Sequence, residues 1–212
     1  ASVVAARALG SVPGSPHSAL LAAVAAGEQL VTVALSNARG SYDASALTIR
    51  AAPAGAGVAL DGTAGFVPDA HIADAIIVAA RDAVGGVTLA VVDPAAPGVT
   101  VTVEPAYDLT RRLATVTLDG VAVDADQLIG ESGGARGLFD DLVAVGATAV
   151  VCDAVGAAER ILEIATAYAK ERVQFGRPVG SFQAVKHHLA NMFTDVEAAR
   201  AAAVLAVGAI DA

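Results

Sequence analysis

The chain is poor in several residue types that mark particular classes of protein. In 212 residues there is one cysteine, Cys152, and no tryptophan, and aromatic residues make up 4% of the whole. A single thiol excludes a disulfide framework and a thiolate metal site, so cytosol is the expected compartment. Basic residues are also few: 13 Lys and Arg stand against 22 Asp and Glu, a formal charge of -9. That balance argues against nucleic acid as a partner, because phosphate is met by a basic face. Long apolar runs are missing too, despite a mean hydropathy of +0.61. The run "LVAVGATAVVC", 142–152, is closed off by Asp141 and Asp153, well short of the roughly 20 residues that cross a bilayer. The opening "ASVVAARALGSVPGSPHS" carries its Arg inside the apolar part and lacks the long hydrophobic region of a signal peptide. No membrane span is expected, and such stretches read as buried helix. The first residue is not Met, and "DVEAARAAAVLAVGAIDA" runs out in helical composition without a cap, so both ends are expected to be cuts in a longer polypeptide.

What is present points to a globular chain, with 55% hydrophobic and 17% charged residues and no low-complexity block. Two grammars succeed one another. After a short helical piece, "HSALLAAVAAGE" at 17–28, residues 30–123 alternate β-branched strands with Gly, Pro and Asp turns: "QLVTVALS", "ALTIRAA", "GVALDGTAGFV", "ADAIIVAA", "GVTLAVVD", "GVTVTVE" and "RLATVTLDGVAV". Such punctuation predicts an antiparallel β-barrel or sandwich. From Gly134 the breakers vanish, and 135–173 reads as one helix. A second begins near Ser181, with Phe182, Val185, Leu189, Met192 and Val196 forming a stripe at spacings of three and four. The fold class is therefore α+β, a β domain followed by a truncated antiparallel helical bundle. Three segments are expected: 1–29 closing a helical domain, 30–130 the β domain, and 131–212 the start of the bundle.

The join between the two helices, "KERVQFGRPVGSFQAVKHH" at 170–188, is chemically the richest stretch. Gly176 and Pro178 are stop signals, and Ser181 can cap the second helix. Arg172 can be a cation placed against a helix C-terminus, with Phe175 plugging the core. Alternatively, a guanidinium fork suits phosphate or pyrophosphate, with the Gln174 amide and the flat Phe175 ring beside it.

The run "RVQFGRPVGSFQ" closely resembles a signature of the acyl-CoA dehydrogenase family, flavoenzymes with an N-terminal helical domain, a middle β domain and a C-terminal helical bundle. "LLAAVAAGEQLVTVALS", "LDGTAGFVPDAHIADAIIVAARD", "LAVVDPAAPGVTV" and "YDLTRRLATVTLDGVAVDADQLIG" continue the resemblance in order, so that it spans nearly the whole chain. It implies FAD as cofactor, an acyl-CoA substrate, and a homo- or hetero-oligomer. By this resemblance Arg172 anchors the FAD pyrophosphate of a neighbouring chain, with Gln174, Phe175 and Gln183 near it. The β domain's own flavin contacts fall on Ser36, which keeps a hydroxyl, and on Phe66, Val67 and Pro68, where the family often has Trp-Ile-Thr. Phe66 can stack on the ring or serve as a core aromatic, while Pro68 has neither hydroxyl nor N–H to offer. The family's Thr-Glu-Pro and Gly-Ser-Asp become Ser36-Asn37-Ala38 and Ser41-Tyr42-Asp43, which puts bulky Tyr42 in place of a phosphate-facing Ser.

Desaturation of an acyl-CoA needs a carboxylate to take the α proton. The family's helix position for that Glu falls here on Gly146, and its polar neighbours on Ala144 and Ala147. Asp140 and Asp141 lie further back on the helix. No catalytic residue is therefore assigned. Three expectations stay open: a dehydrogenase subunit whose base lies beyond residue 212, a non-catalytic subunit completing the FAD site of a homologous chain, or a flavin-free structural or binding protein of the same fold. Among the other polar residues, His187 and His188 read as a solvated face, His17 and His71 as turn residues, and Arg111 and Arg112 as surface or interface charges. Cys152 reads as a buried small hydrophobe.

Overall fold

A computed structural model describes every residue except 13, 15, 109, 211 and 212. It divides into two compact units, Ala1–Val143 and Ala144–Ala212. In the first, helices α1 (Ser2–Gly10) and α2 (Ser18–Ala26) precede seven strands: β1 (Val31–Ala34), β2 (Arg50–Ala54), β3 (Gly57–Pro68), β4 (Ala75–Arg81), β5 (Val87–Val92), β6 (Val99–Val103) and β7 (Leu113–Val123). Six of them coincide with the β-branched runs of the sequence, while β2 (RAAPA) overlaps only the end of the run 46–52. α1 belongs with the sheet, burying Val4, Ala5, Ala8 and Leu9 along one stripe.

The strands form one sheet in the order β1-β4-β2-β3-β7-β6, with β5 also paired to β4. Most pairs are antiparallel, as expected, but β1 runs parallel to β4, Val31 to Ala34 facing Ala75 to Val78. The reason lies in the connection. The β2–β3 hairpin occupies the chain between these strands and acts as the crossover that a parallel pair needs. β4, "AIIVAAR", is buried over its first six residues, as a strand covered on both faces must be. β3 instead carries two register shifts against β7, after Leu60 and after Ala64. At the first, Gly62 has φ +132° and a Cβ there would come 2.4 Å from the Thr48 carbonyl, so only Gly fits. Leu60, Val67, Ile76, Val116 and Leu118 meet in the core between the faces of this curled sheet.

The 36-residue helix α3 (Arg136–Glu171) starts in the first unit, where Ala135 N–H donates to the Val87 carbonyl at 2.8 Å. Phe139 and Leu142 on its first turns are fully buried. In the second unit it ends in a two-stranded ribbon, β8 (Val173–Gln174) and β9 (Arg177–Pro178), and α4 (Gln183–Ile210) then runs back along it. The antiparallel arrangement brings Arg200 to 2.7 Å from Glu159. Phe182, Val185, Leu189 and Met192 are half-buried and Val196 is buried, so the predicted stripe faces inward.

Much of the remaining helix surface is apolar and uncovered, including Val150, Val151, Ile161, Ile164, Tyr168, Phe193, Val204 and Leu205. Cys152 is exposed, not buried. It lines an open groove with Val155, Gly156, Ala203, Val204 and Val207, because two helices cannot enclose the face that a complete bundle would. By length and composition α3 also meets the requirement for a membrane span, with a mean hydropathy of 1.6 over its most apolar window. Its charges favour a bundle instead: Asp153 interrupts the apolar run, and an acidic group at the centre of a span costs about 2.5–3.5 kcal/mol.

Leu60→Ala, at a site with no exposed surface, is expected to lower unfolding free energy by about 2–5 kcal/mol. Ile72→Ser, on an exposed turn, is expected to stay within about 0.5 kcal/mol. Denaturant titration of the two variants against the parent checks both.

Candidate functional site

The first unit builds a shelf from the end of β1 and the bulge of β3. Ser36 is buried, and its hydroxyl donates to the Gly65 carbonyl. Asn37 then ties the adjoining loop together. Its Oδ1 accepts from the N–H groups of Arg39 at 2.8 Å and Ser41 at 3.0 Å, and its Nδ2 donates to the Ala46 carbonyl at 3.1 Å. Its own carbonyl accepts from Gly40 N–H at 3.0 Å and from Gly65 N–H at 3.2 Å, which pins the loop to β3. Sequence reasoning passed over Asn37. The available signal was an Asn three residues before a Gly, the pattern of a side chain that hydrogen-bonds its own turn.

Phe66 stands on the second register shift of β3 with φ +56°. Such backbone costs an aromatic residue on the order of 1–3 kcal/mol, and it turns the ring outward between buried Ala64 and Val67. The residue is 47% exposed. Its ring lies over Gly40, where a Cβ would sit 3.0 Å from the ring. Phe66 is therefore a surface aromatic rather than a core one. Val67 is different: its side chain is packed in the core, which leaves only its backbone for a ligand. Pro68 is half-buried, and its carbonyl accepts from the Thr32 hydroxyl. Tyr42 is half exposed at the far end of the loop.

Next to it, Asp43 caps a short 3-10 turn, Ala44–Ala46, by accepting from Ser45 N–H at 2.8 Å. Hydrogen bonds from the Ser45 backbone and then its side chain hold the Asp43 carboxyl below its ordinary value, and Arg136 and Arg81 act in the same direction. A lowered carboxyl stabilises the fold above its unfolded-state pKa, and that contribution is lost as pH falls through the lowered value. Asp43→Asn is therefore expected to reduce the melting temperature at neutral pH, with the difference from the parent vanishing in strong acid. Thermal melts across the acid range read it.

The second unit carries the Arg172 segment. The helix stops at Glu171, and Phe175 and Gly176 form a two-residue turn between β8 and β9, with φ +52° and +74°. Two positive φ angles mark the primed turn that suits the twist of a tight ribbon. Gly176 is thus the turn residue of a hairpin rather than a helix cap. Ser181 does not cap α4 either: it lies in a 3-10 turn, and its Oγ is buried without a hydrogen-bond partner. Phe175, read alternatively as a core plug, is 91% exposed at the hairpin tip. Its ring meets Phe182 edge to face at 6.1 Å, and Arg177 lies over Phe182 at 4.1 Å from the ring centre. Gln174 bonds the Val173 carbonyl at 2.8 Å through its amide. Arg172, exposed, makes no ion pair or side-chain hydrogen bond among the described residues; its carbonyl accepts from Val179 N–H at 2.7 Å. Gln183 opens α4. The hairpin therefore gathers Arg172, Gln174 and Phe175 on one small projection.

On α3, Gly146 is half-buried, and the neighbouring turn carries only Ala144, Val145 and Ala147. The carboxylates one turn back are engaged elsewhere. Asp140 pairs with Arg136 at 2.8 Å, and Asp141 takes two bonds from Arg7, at 2.9 and 3.2 Å.

Comparison with known proteins bears on the family and the fold. The family model "Acyl-CoA dehydrogenase, C-terminal domain" matches residues 137–212. The chain belongs to the acyl-CoA dehydrogenase family. Its relatives include acyl-CoA dehydrogenase IpdE2 of Mycolicibacterium smegmatis, 41% identical over 98 residues, covering 46% of this chain and 28% of that protein. Acyl-CoA dehydrogenase FadE27 of Mycobacterium tuberculosis is 35% identical over 174 residues, covering 82% of this chain and 44% of that protein. Among solved structures, the ChsE4-ChsE5 complex from Mycobacterium tuberculosis superposes with a TM-score of 0.81 at 32% identity, over 92% of this chain and 51% of that one. The chain thus spans about half the length of these relatives, or less. As an acyl-CoA dehydrogenase chain it combines a curled β-sheet with helices that match the family's C-terminal domain.

Within this family member the hairpin stands on Gly176. A side chain in left-handed backbone costs about 1–2 kcal/mol, and β-branching adds to that. Gly176→Val is expected to destabilise the second unit by at least about that amount, read as a lower unfolding midpoint by circular dichroism.

Proposed function

We propose that this chain is a subunit of an FAD-dependent acyl-CoA dehydrogenase that desaturates an acyl-CoA thioester, of fatty or steroid side-chain type, between its α and β carbons. The observation that carries this is the hairpin, which presents an exposed guanidinium, an amide and an exposed ring on a strained turn within a chain of this family. The family's flavin accepts hydride from the β carbon when bound. On this reading, Arg172 reaches over a subunit boundary to hold the pyrophosphate of a neighbour's FAD, where a bidentate fork is worth more than a point charge. Gln174, Phe175 and Gln183 fill in around it.

The shelf of the first unit fits a flat ring in part. Phe66 offers an exposed face, and the Ser36 hydroxyl keeps lone pairs after donating to Gly65. Pro68 has no N–H to give, and Tyr42 replaces a small hydroxyl residue. The turn of α3 around Gly146 offers no base, since 144–147 is Ala-Val-Gly-Ala and Asp140 and Asp141 are ion-paired. Proton abstraction is then the work of a carboxylate outside these residues.

That departure favours a second form of the same reading, in which this chain is the non-catalytic member of a cytosolic hetero-oligomer and completes the flavin site of a homologous catalytic chain. A neighbour of similar fold is a ChsE4-ChsE5 complex, and the uncovered apolar faces of α3 and α4 suit burial against another chain.

The test is flavin content and bleaching by acyl-CoA, measured for the chain alone and mixed with a homologous dehydrogenase chain. Flavin in the mixture only supports the partner role; one flavin per chain with full activity in isolation rejects it. In whichever assembly holds flavin, Arg172→Ala is expected to weaken FAD about 10- to 100-fold, the worth of a charge-assisted contact of about 1.5–3 kcal/mol. Unchanged affinity rules out the hairpin as the anchor.

A further inference from the structure

The loop from Asn37 to Ser41 carries a cation that none of these roles uses. Arg39 is exposed and has no ion pair and no side-chain hydrogen bond among the described residues. Its backbone, by contrast, is fixed: the Arg39 N–H donates to Asn37 Oδ1 at 2.8 Å, and the neighbouring Gly40 lies under the Phe66 ring. A flexible guanidinium therefore rises from a pinned base at the edge of the one strained, outward-facing aromatic of this unit. Two other basic groups near the loop each have a protein contact. Arg81 donates to the Ser45 carbonyl at 2.7 Å, and Arg136 is held by Asp140 at 2.8 Å. In a chain of net charge -9 an anion settling on this shelf needs a local cation. The carboxylate of the same loop, Asp43, is engaged by Ser45 N–H.

We propose that Arg39 is a binding residue of the Phe66 shelf that grips the diphosphate bridge of a nucleotide lying there. This rests on the shelf being a ligand site of the proposed dehydrogenase assembly. A guanidinium holds phosphate oxygens in pairs, and here it supplies the contact that Tyr42, too bulky for a close hydroxyl approach, does not. FAD and coenzyme A both carry a diphosphate bridge, so both are its candidates. Because the loop is already ordered by Asn37, binding immobilises only the Arg39 side chain.

The experiment uses the assembled flavoprotein complex with parent, Arg39→Ala and Arg39→Lys chains. Affinities are measured for FAD, for riboflavin, which has the ring and no phosphate, and for coenzyme A. The expected result is at least a tenfold weakening of FAD or of coenzyme A by Arg39→Ala, partial recovery with Arg39→Lys, and unchanged riboflavin binding. The ligand that weakens identifies the source of the diphosphate. Equal affinities of parent and Arg39→Ala for both nucleotides overturn the proposal. So does a riboflavin loss as large as the FAD loss, which would make Arg39 a support of the loop. A parent complex that binds no flavin and no coenzyme A instead removes the functional reading on which the proposal stands.

Discussion

A phenylalanine in left-handed backbone is costly, and this chain holds two, Phe66 and Phe175. Each is sustained by its surroundings. Phe66 is forced outward by a register shift and by the Asn37 and Ser36 bonds to Gly65. Phe175 is forced outward by a turn too short for any other geometry. In both places the chain gives up stability to expose a flat ring that burial would have rewarded. Backbone strain that puts aromatic surface into solvent is more readily explained by a ligand than by folding.

The β domain provides the stiffness that makes such strain tolerable. β4 is covered on both faces and pairs with three strands, so the ends of β1 and β3 are carried by a framework with little freedom to relax. The loop after β1 gains its order in another way. One buried amide side chain, that of Asn37, satisfies several backbone groups that a surface loop would leave to water. The neutral amide of Asn37 both donates and accepts, which a carboxylate cannot do.

Periodicity revealed most of the fold. The seven strands and both long helices could be placed because their apolar residues recur at two and at three to four, and the breakers between them are Gly, Pro and Asp. The parallel pairing of β1 with β4 was not legible, since strand patterns carry no sign of direction and a hairpin served as crossover. Of the candidate residues, Arg172, Gln174 and Phe175 do come together on one projection, and Ser36 and Phe66 on one shelf. The burial of the Val67 side chain was not legible, because alternation along β3 is broken by a bulge that composition does not announce. Cys152 was misjudged because helix pattern reports which face is apolar, not whether anything covers it.

The hairpin after α3 has a consequence for how this region tolerates change. With two residues in the turn and Gln174 set opposite Arg177, adding or removing one residue would swap the sides on which successive side chains emerge. Away from Gly176 a single substitution leaves that alternation of sides intact, whereas a change of length does not. In lineages descended from this sequence, the spacing from Arg172 to Gln183 should outlast the identity of the residues between them.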